Sequence, residues 1–391
     1  VLVSPRRPVY AAASRRVFQL ISSRVGVVEQ LSIDEAFMEP AELTGATPDE
    51  VKEWSDDLRR LIREETGLPS SIGAGTGKQY AKIGSGRAKP DGTFVIPGDT
   101  QLEILHPMPV NELWGVGPVT EAKLAQIGVV TIGDLAALSE KEVVISLGGT
   151  VGPMLWALAN GIDDRPVEPR AEAKSISAEY TYPRDLTTRA EVDAAVTRAA
   201  AAAHRRLLID GRGSRTVTVK LKMADFRIES RSATLSYATD NLETLQATAF
   251  RLVRYADEVG PIRLVGVGFS GLEAARQDVL FPELDQQVVV AATDDDFETG
   301  VSDHIAEPVV EVEHAPEGWR ATQDVHHPEY GHGWVQGAGH GIVSVRFETR
   351  ATGPGITRTF AEDDPDLEPA DPLASLAWED WLAEQEAEDQ D

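Results

Sequence analysis

The 391-residue sequence contains no cysteine. That absence excludes disulfides, thiolate-ligated zinc, iron–sulfur clusters and thiol catalysis. It suits a reducing compartment, and the cytoplasm is the expectation. Long apolar runs are also missing. None reaches the roughly 20 residues of a membrane span, and no basic–apolar–small leader opens the chain, so no membrane partner is expected. The first residue is Val1 rather than methionine, which points to an alternative start codon or a missing upstream segment. Bases are short as well: 37 Lys and Arg face 64 Asp and Glu, a net charge of −27. Spread evenly, that charge would disfavour nucleic acid. It is not spread evenly, because residues 286–391 hold 25 acids and 4 bases while residues 1–285 carry only −6.

What is present is enough for several domains. Apolar residues make up 42% of the chain, and the length suits two to four folding units. Helical apolar spacing marks residues 15–25, and alternation over residues 28–39 predicts a strand pair. Residues 47–66 read as a helix with Thr47 as N-cap and Glu50 three residues later. A strand at SIGAGTG, a helix at KQYAKIGSGRA and a strand at GTFVI follow. Residues 101–170 are short helices with glycine turns. Strands at 175–182, 214–223, 230–237 and 262–270, separated by helices at 190–209 and 242–258, give a β-α-β-β-α-β order. Residues 286–315 read as an acidic linker. Short glycine-rich strands resume over 316–360, and an acidic tail with a helix over 372–384 closes the chain. The fold class is therefore α+β.

Ser32-Ile33-Asp34-Glu35-Ala36-Phe37 sets two adjacent carboxylates in a strand-like pattern. Neighbouring strand residues face opposite sides. Asp34 and Glu35 can serve one site only if a turn or bulge falls there. Taken alone, the pair is an ordinary solvated turn. Together with AKIGSGRAKPDGTFVI some fifty residues on, and LWGVGPVTEAKLAQIGVVTIGDL after it, the sequence resembles the Y-family translesion DNA polymerases, in particular the actinobacterial form of the bacterial DNA polymerase IV type. The resemblance covers about residues 1–285.

The resemblance implies a division into a partial palm over 1–100, a helical thumb with a helix-hairpin-helix over 101–170 and a little finger over 171–285. It implies template-directed DNA synthesis across damaged DNA, with primer-template DNA and deoxynucleoside triphosphates as partners. Asp34 then matches a palm carboxylate that binds the catalytic metals, two Mg²⁺ ions in the intact family site. Glu35 matches the neighbouring active-site carboxylate. Hard oxygen donors are what Mg²⁺ takes, and two such ions stabilise the attacking and leaving oxygens of nucleotidyl transfer. Lys89 matches the lysine that meets the incoming triphosphate, and Lys82, two turns earlier, could lie on the same side. Gly84 and Gly86 replace small or acidic family residues and are expected to loosen that helix.

The family's first palm strand, with a further metal-binding aspartate and the aromatic residue that excludes ribonucleotides, has no counterpart in this sequence. The expectation is an N-terminally truncated polymerase of little or no activity by itself. The alternative function is a non-catalytic remnant that binds DNA and the sliding clamp. A metal-dependent nuclease rests on the carboxylates alone.

Gly115 and Gly117 in LWGVGP suit a turn whose N–H groups meet a DNA phosphate. In the little finger, Lys220 and Lys222 alternate with apolar residues, and Arg231 opens the next strand. These three are the expected DNA-backbone contacts. Gln277, Leu280 and Phe281 in QDVLF resemble the bacterial clamp-binding peptide, with Asp278 where leucine is usual. Beyond it, residues 316–360 resemble the Tudor-like β module at the C-terminus of some bacterial helicases, which implies a protein partner. Six of the eight histidines fall between His304 and His340, at spacings that form no recognisable zinc ligand set.

Overall fold

The computed structural model describes residues 6–169, 171–274, 289–293, 318–349 and 355–388. The chain divides into two units, Val1–Arg170 with Val312–Asp391, and Ala171–Glu311. We describe each by itself.

The first unit opens with helix α1 (Arg7–Val25), which starts eight residues before the stretch with clear apolar spacing because Pro8 suits a helix's first turn. Strands β1 (Val28–Gln30) and β2 (Ala36–Met38) form an antiparallel hairpin. Helix α2 (Pro48–Thr66) carries the expected capping box, with the Thr47 N–H donating to Glu50 at 2.8 Å. Strands β3 (Ser71–Ala74) and β4 (Gly92–Val95) are parallel and joined by helix α3 (Lys78–Ala88). The crossover is unusually tight. A Cβ on Gly73 would lie 1.9 Å from the Ser85 nitrogen, and one on Gly84 would lie 2.9 Å from the Gly73 Cα. Gly84 therefore does not loosen α3; it lets helix and strand backbones touch.

Five short helices follow: α4 (Gln101–Leu105), α5 (Pro118–Gln126), α6 (Ile132–Ala137), α7 (Glu140–Leu147) and α8 (Val151–Ala159). Capping boxes start α6 at Thr131 and α7 at Ser139. Leu105, Leu113, Leu124, Ile132, Leu135 and Leu155 are fully buried between them and fix their packing.

The second unit is one sheet with helices on one face. In chain order it runs β5 (Ser175–Leu186), α9 (Arg189–Asp210), β6 (Gly213–Met223), β7 (Ile228–Thr239), α10 (Leu242–Leu252), α11 (Ala256–Val259), β8 (Ile262–Glu273) and β9 (Val289–Thr293). The sheet order is β5-β8-β6-β7-β9. Val217, Val219, Leu221 and Met223 of β6 turn toward the helices and are buried. Small residues on α9, among them Ala195, Ala199 and Ala203, let it lie close to the sheet. Strand β9 corrects the linker reading. Residues 289–293 pair antiparallel with β7, because an apolar, β-branched run can close an open sheet edge whatever the charge downstream.

The C-terminal part of the first unit is an antiparallel sheet of five strands, β10 (Asp324–His327), β11 (Gly331–Gly339), β12 (Ile342–Phe347), β13 (Ile356–Ala361) and β14 (Glu368–Pro369), ordered β13-β12-β11-β10-β14. Val325, Val335, Val343, Val345 and Leu367 form its core. The acidic tail is therefore not a free appendage: it supplies β14 and buried Leu367. A 3-10 turn at Pro372–Leu376 follows, then helix α12 (Glu379–Glu388), which lies later than the helix expected over 372–384.

The tail also docks on α1. Asp324, 5% exposed, takes the Arg6 guanidinium on both oxygens and His332 Nε2 at 2.8 Å. Arg6 also donates to Ser375 Oγ at 2.7 Å. The Arg16 guanidinium sits 4.5 Å over Trp378, and Trp381 Nε1 donates to Gln19 Oε1 at 3.0 Å.

Candidate active site and nucleic-acid interface

The turn that two adjacent carboxylates require lies between β1 and β2. Leu31 and Ser32 donate their N–H groups to the Glu35 carbonyl at 2.8 and 3.2 Å. The Ser32 hydroxyl accepts the N–H of Glu35 at 3.1 Å and donates to Asp34 Oδ1 at 2.7 Å. This local bonding draws Ser32 and Asp34 off the ladder. Asp34 is exposed, and Glu35 points to α3, where Lys82 Nζ donates to both of its oxygens at 2.8 Å. Lys82 thus joins the acidic turn to the helix that leads to Lys89.

Lys89 ends α3 and is exposed, with no side-chain partner among the described residues. No hydrogen bond or ion pair links it to Asp34 or Glu35.

A polar network not evident from the sequence holds α3. Its N-cap, Gly77, has no side chain, so the Asp163 carboxylate accepts the Gln79 N–H at 2.7 Å instead. Arg165 grips the same carboxylate at 2.6 and 2.8 Å. Burial alone would raise the Asp163 carboxyl, but the Arg165 and Gln79 hydrogen bonds outweigh it and hold it below the ordinary value. Gln79 is 1% exposed. Its Nε2 donates to the Glu112 carbonyl at 3.1 Å and its Oε1 accepts the Trp114 N–H at 3.0 Å. The indole of Trp114 is itself held between Phe37, 5.4 Å away, and the Arg165 guanidinium at 4.8 Å. One buried amide therefore bolts α3 to the glycine turn at residues 115–117. The only forward signal was an uncharged polar residue inside KQYAKIG.

Gly115 has φ +106°, a conformation that glycine adopts cheaply, and Gly117 is the N-cap of α5 with open space around its Cα. Beside this turn lies a cleft of about 610 Å³, lined among others by Lys82, Arg87, Met108, Asn111, Trp114 and Gly115.

In the second unit, Lys220 and Lys222 lie on the sheet face away from the helices. Lys220 pairs with Glu179 at 3.3 Å, and Lys222 sits 5.1 Å over Phe226. Arg231 does not join them. It lies opposite Val219, so it shares the helix-covered face, and it donates to the Leu252 carbonyl at 3.3 Å. Ser230 and Ile228 are the β7 residues opposite Lys220 and Lys222. A one-residue step in a strand reverses the face. Gln277, Leu280 and Phe281 lie outside the described residues.

Asp34 and Glu35 fit a hydrated Mg²⁺ as donors. Both offer hard oxygens. Asp34 is exposed and keeps Oδ2 without a hydrogen-bond partner among the described residues. Glu35 carries Lys82 on both oxygens.

Three regions match family models: residues 1–86 the impB/mucB/samB family, 98–129 the helix-hairpin-helix motif of the same family, and 173–280 its C-terminal domain. The DNA polymerase IV of Corynebacterium diphtheriae is 62% identical over 382 residues, covering 97% of this chain and 84% of the relative. The chain belongs to the DNA polymerase IV family. The Streptomyces coelicolor member is 40% identical over 385 residues, covering 95% of this chain and 77% of that one. A solved chimeric Y-family DNA polymerase shares the fold, with TM-score 0.60 over 68% of this chain and 77% of the chimera at 22% identity. The impB/mucB/samB models fall in both units, on residues 1–86 and 98–129 of the first and 173–280 of the second.

Proposed function

We propose that the acidic turn at residues 32–35, together with α3, forms the catalytic face of a template-directed DNA polymerase. As a DNA polymerase IV family member, the chain is a DNA-directed DNA polymerase of translesion synthesis. The observation that carries the site assignment is the Glu35–Lys82 pair, at 2.8 Å on both oxygens, beside an exposed Asp34.

In this reading Asp34 holds a divalent ion, with Mg²⁺ the fitting class, and Glu35 adds its carboxylate when Lys82 swings to phosphate. The bound ions supply Lewis-acid charge at the attacking and leaving oxygens. Lys82 and Lys89 neutralise the triphosphate as point charges. The primer 3′-hydroxyl loses its proton to solvent, its oxygen bonds to the α-phosphorus, and the bond from that phosphorus to the α,β-bridging oxygen breaks to release pyrophosphate. The N–H groups of the turn at Gly115 and Gly117 hold a DNA phosphate without reading sequence. Lys220 and Lys222 neutralise further phosphates from the open sheet face. Gln277, Leu280 and Phe281 engage the sliding clamp, and the C-terminal β module takes a protein partner. No described helix is long and apolar enough to cross a membrane.

Primer extension with Mg²⁺ tests the site. Nucleotide incorporation by the chain should fall at least a hundredfold in Asp34→Ala while primer–template binding persists. Measurable wild-type extension matched by Asp34→Ala would refute the assignment.

A further inference from the structure

Of the six histidines clustered between His304 and His340, those in the described residues part company in space. His326 and His340 are exposed, and His332 is committed to Asp324. His327 differs. It ends β10, is 8% exposed, and lies under Tyr330 and Phe360, whose ring centroids are 4.8 and 4.9 Å away. Glu329 donates its N–H to Nδ1 at 3.1 Å, and Nε2 has no hydrogen-bond partner among the described residues.

The turn after β13 brings two carboxylates to this ring. Asp364 N–H donates to the Ala361 carbonyl at 3.2 Å, and Asp366 N–H donates to Asp364 Oδ1 at 3.0 Å. Buried Leu367 anchors the turn in the module's core. One ligand atom from each of His327, Asp364 and Asp366 lies within 4.8 Å of the others. Neither aspartate has an ion-pair partner among the described residues. Two like charges so close, facing a buried imidazole, form a site that lacks only its counter-charge.

We propose that His327, Asp364 and Asp366 bind a divalent first-row transition ion, of which Zn²⁺ is the representative. One imidazole nitrogen and two carboxylate oxygens are the donors such ions take, whereas Mg²⁺ prefers oxygen alone. The ligand nitrogen is the one that Glu329 does not engage. Ligation there places the ring proton on Nδ1 and gives up the hydrogen bond from the Glu329 N–H. Three protein ligands leave a coordination position open for water or for a carboxylate from another molecule. The ion would pin residues 361–367 to the end of β10, in a part of the chain remote from the catalytic carboxylates in sequence.

The test uses the full metal-stripped chain, titrated calorimetrically with ZnCl₂, and Co²⁺ absorption as a readout of ligand geometry. Wild type should bind one Zn²⁺ that the double variant D364N/D366N binds at least tenfold more weakly. The Co²⁺ spectrum should be the intense one of a four- or five-coordinate site, lost in the same variant. Because Asp364 and Asp366 are not buried, the variant should fold; an unchanged far-ultraviolet circular dichroism spectrum checks this. H327Q, which keeps a polar group but no imidazole, should also lose the intense spectrum. Equal Zn²⁺ isotherms in wild type and D364N/D366N, or no binding below millimolar Zn²⁺, would overturn the proposal.

Discussion

Replacing Gln79 with alanine should cost more than any single exposed charge in the first unit. The side chain is 1% exposed, and its amide makes two hydrogen bonds to the loop at residues 112–114. Gln79→Ala leaves the N–H of half-buried Trp114 without an acceptor, at about 1–3 kcal/mol. The Glu112 carbonyl belongs to an exposed residue and can turn to water at little cost. Lost packing around the amide adds about 1 kcal/mol. The expected loss is therefore about 2–4 kcal/mol, or about 5–15 °C in Tm for a unit of this size. All seven tryptophans belong to the first unit, so selectively excited tryptophan emission follows its melting without contribution from the other. Gln79→Met keeps the volume but not the bonds and should recover only the packing share. A shift below about 1 °C in Gln79→Ala would refute the claim that this amide ties α3 to the glycine turn.

Other perturbations separate the remaining roles. Lys82→Ala frees Glu35, and should weaken nucleotide binding while changing Tm by under about 4 °C, since a half-exposed pair contributes roughly 0–1 kcal/mol; nucleotide titration and melting check both. Asp56, hydrogen-bonded by Lys52, Thr93 and Arg59, has its carboxyl lowered to about 2. Its stabilisation is complete above the ordinary carboxylate value and is lost as pH falls toward about 2. Acid melts of Asp56→Asn should therefore lose part of the slope in that window, a modest part because the group is partly exposed. Lys220→Ala and Lys222→Ala should each lower the salt slope of DNA binding by about 0.9, while Arg231→Ala should lower stability and leave the slope alone; anisotropy titrations across salt decide it. Arg6→Ala leaves the buried Asp324 carboxylate with His332 as its side-chain partner and should loosen the C-terminal sheet from α1 by up to about 3 kcal/mol, read as faster hydrogen exchange in β10 and α12.

Much of this was legible in one dimension. Capping residues announce α2, and period-two alternation announces β6, because both signals act between neighbours in sequence. The acidic turn was legible as a requirement: adjacent carboxylates with one task demand a break in the strand, and the Ser32 hydroxyl supplies it. Arg231 misled because its face depends on register with β6, which a single strand does not encode. Strand β9 and the tail's β14 were missed because the acids around them dominate composition, while edge pairing needs only a few compatible residues. Asp163 capping α3 and Gln79 reaching Trp114 join residues 84 and 35 positions apart. Such bonds become visible only when the chain is folded.

The docking of Arg6 and Arg16 onto residues 324–381 has a consequence in time. The sheet of the second unit pairs only strands that lie between Ser175 and Thr293, so it can form as soon as that stretch leaves the ribosome. The first unit cannot. Helix α1 is made early, yet its companions Asp324, Trp378 and Trp381 arrive more than three hundred residues later. At synthesis rates of roughly 5–20 residues per second, that face of α1 stays uncovered for about 15–60 seconds. During that interval the nascent chain offers chaperones an arginine-bearing helix whose aromatic cover has not yet been made.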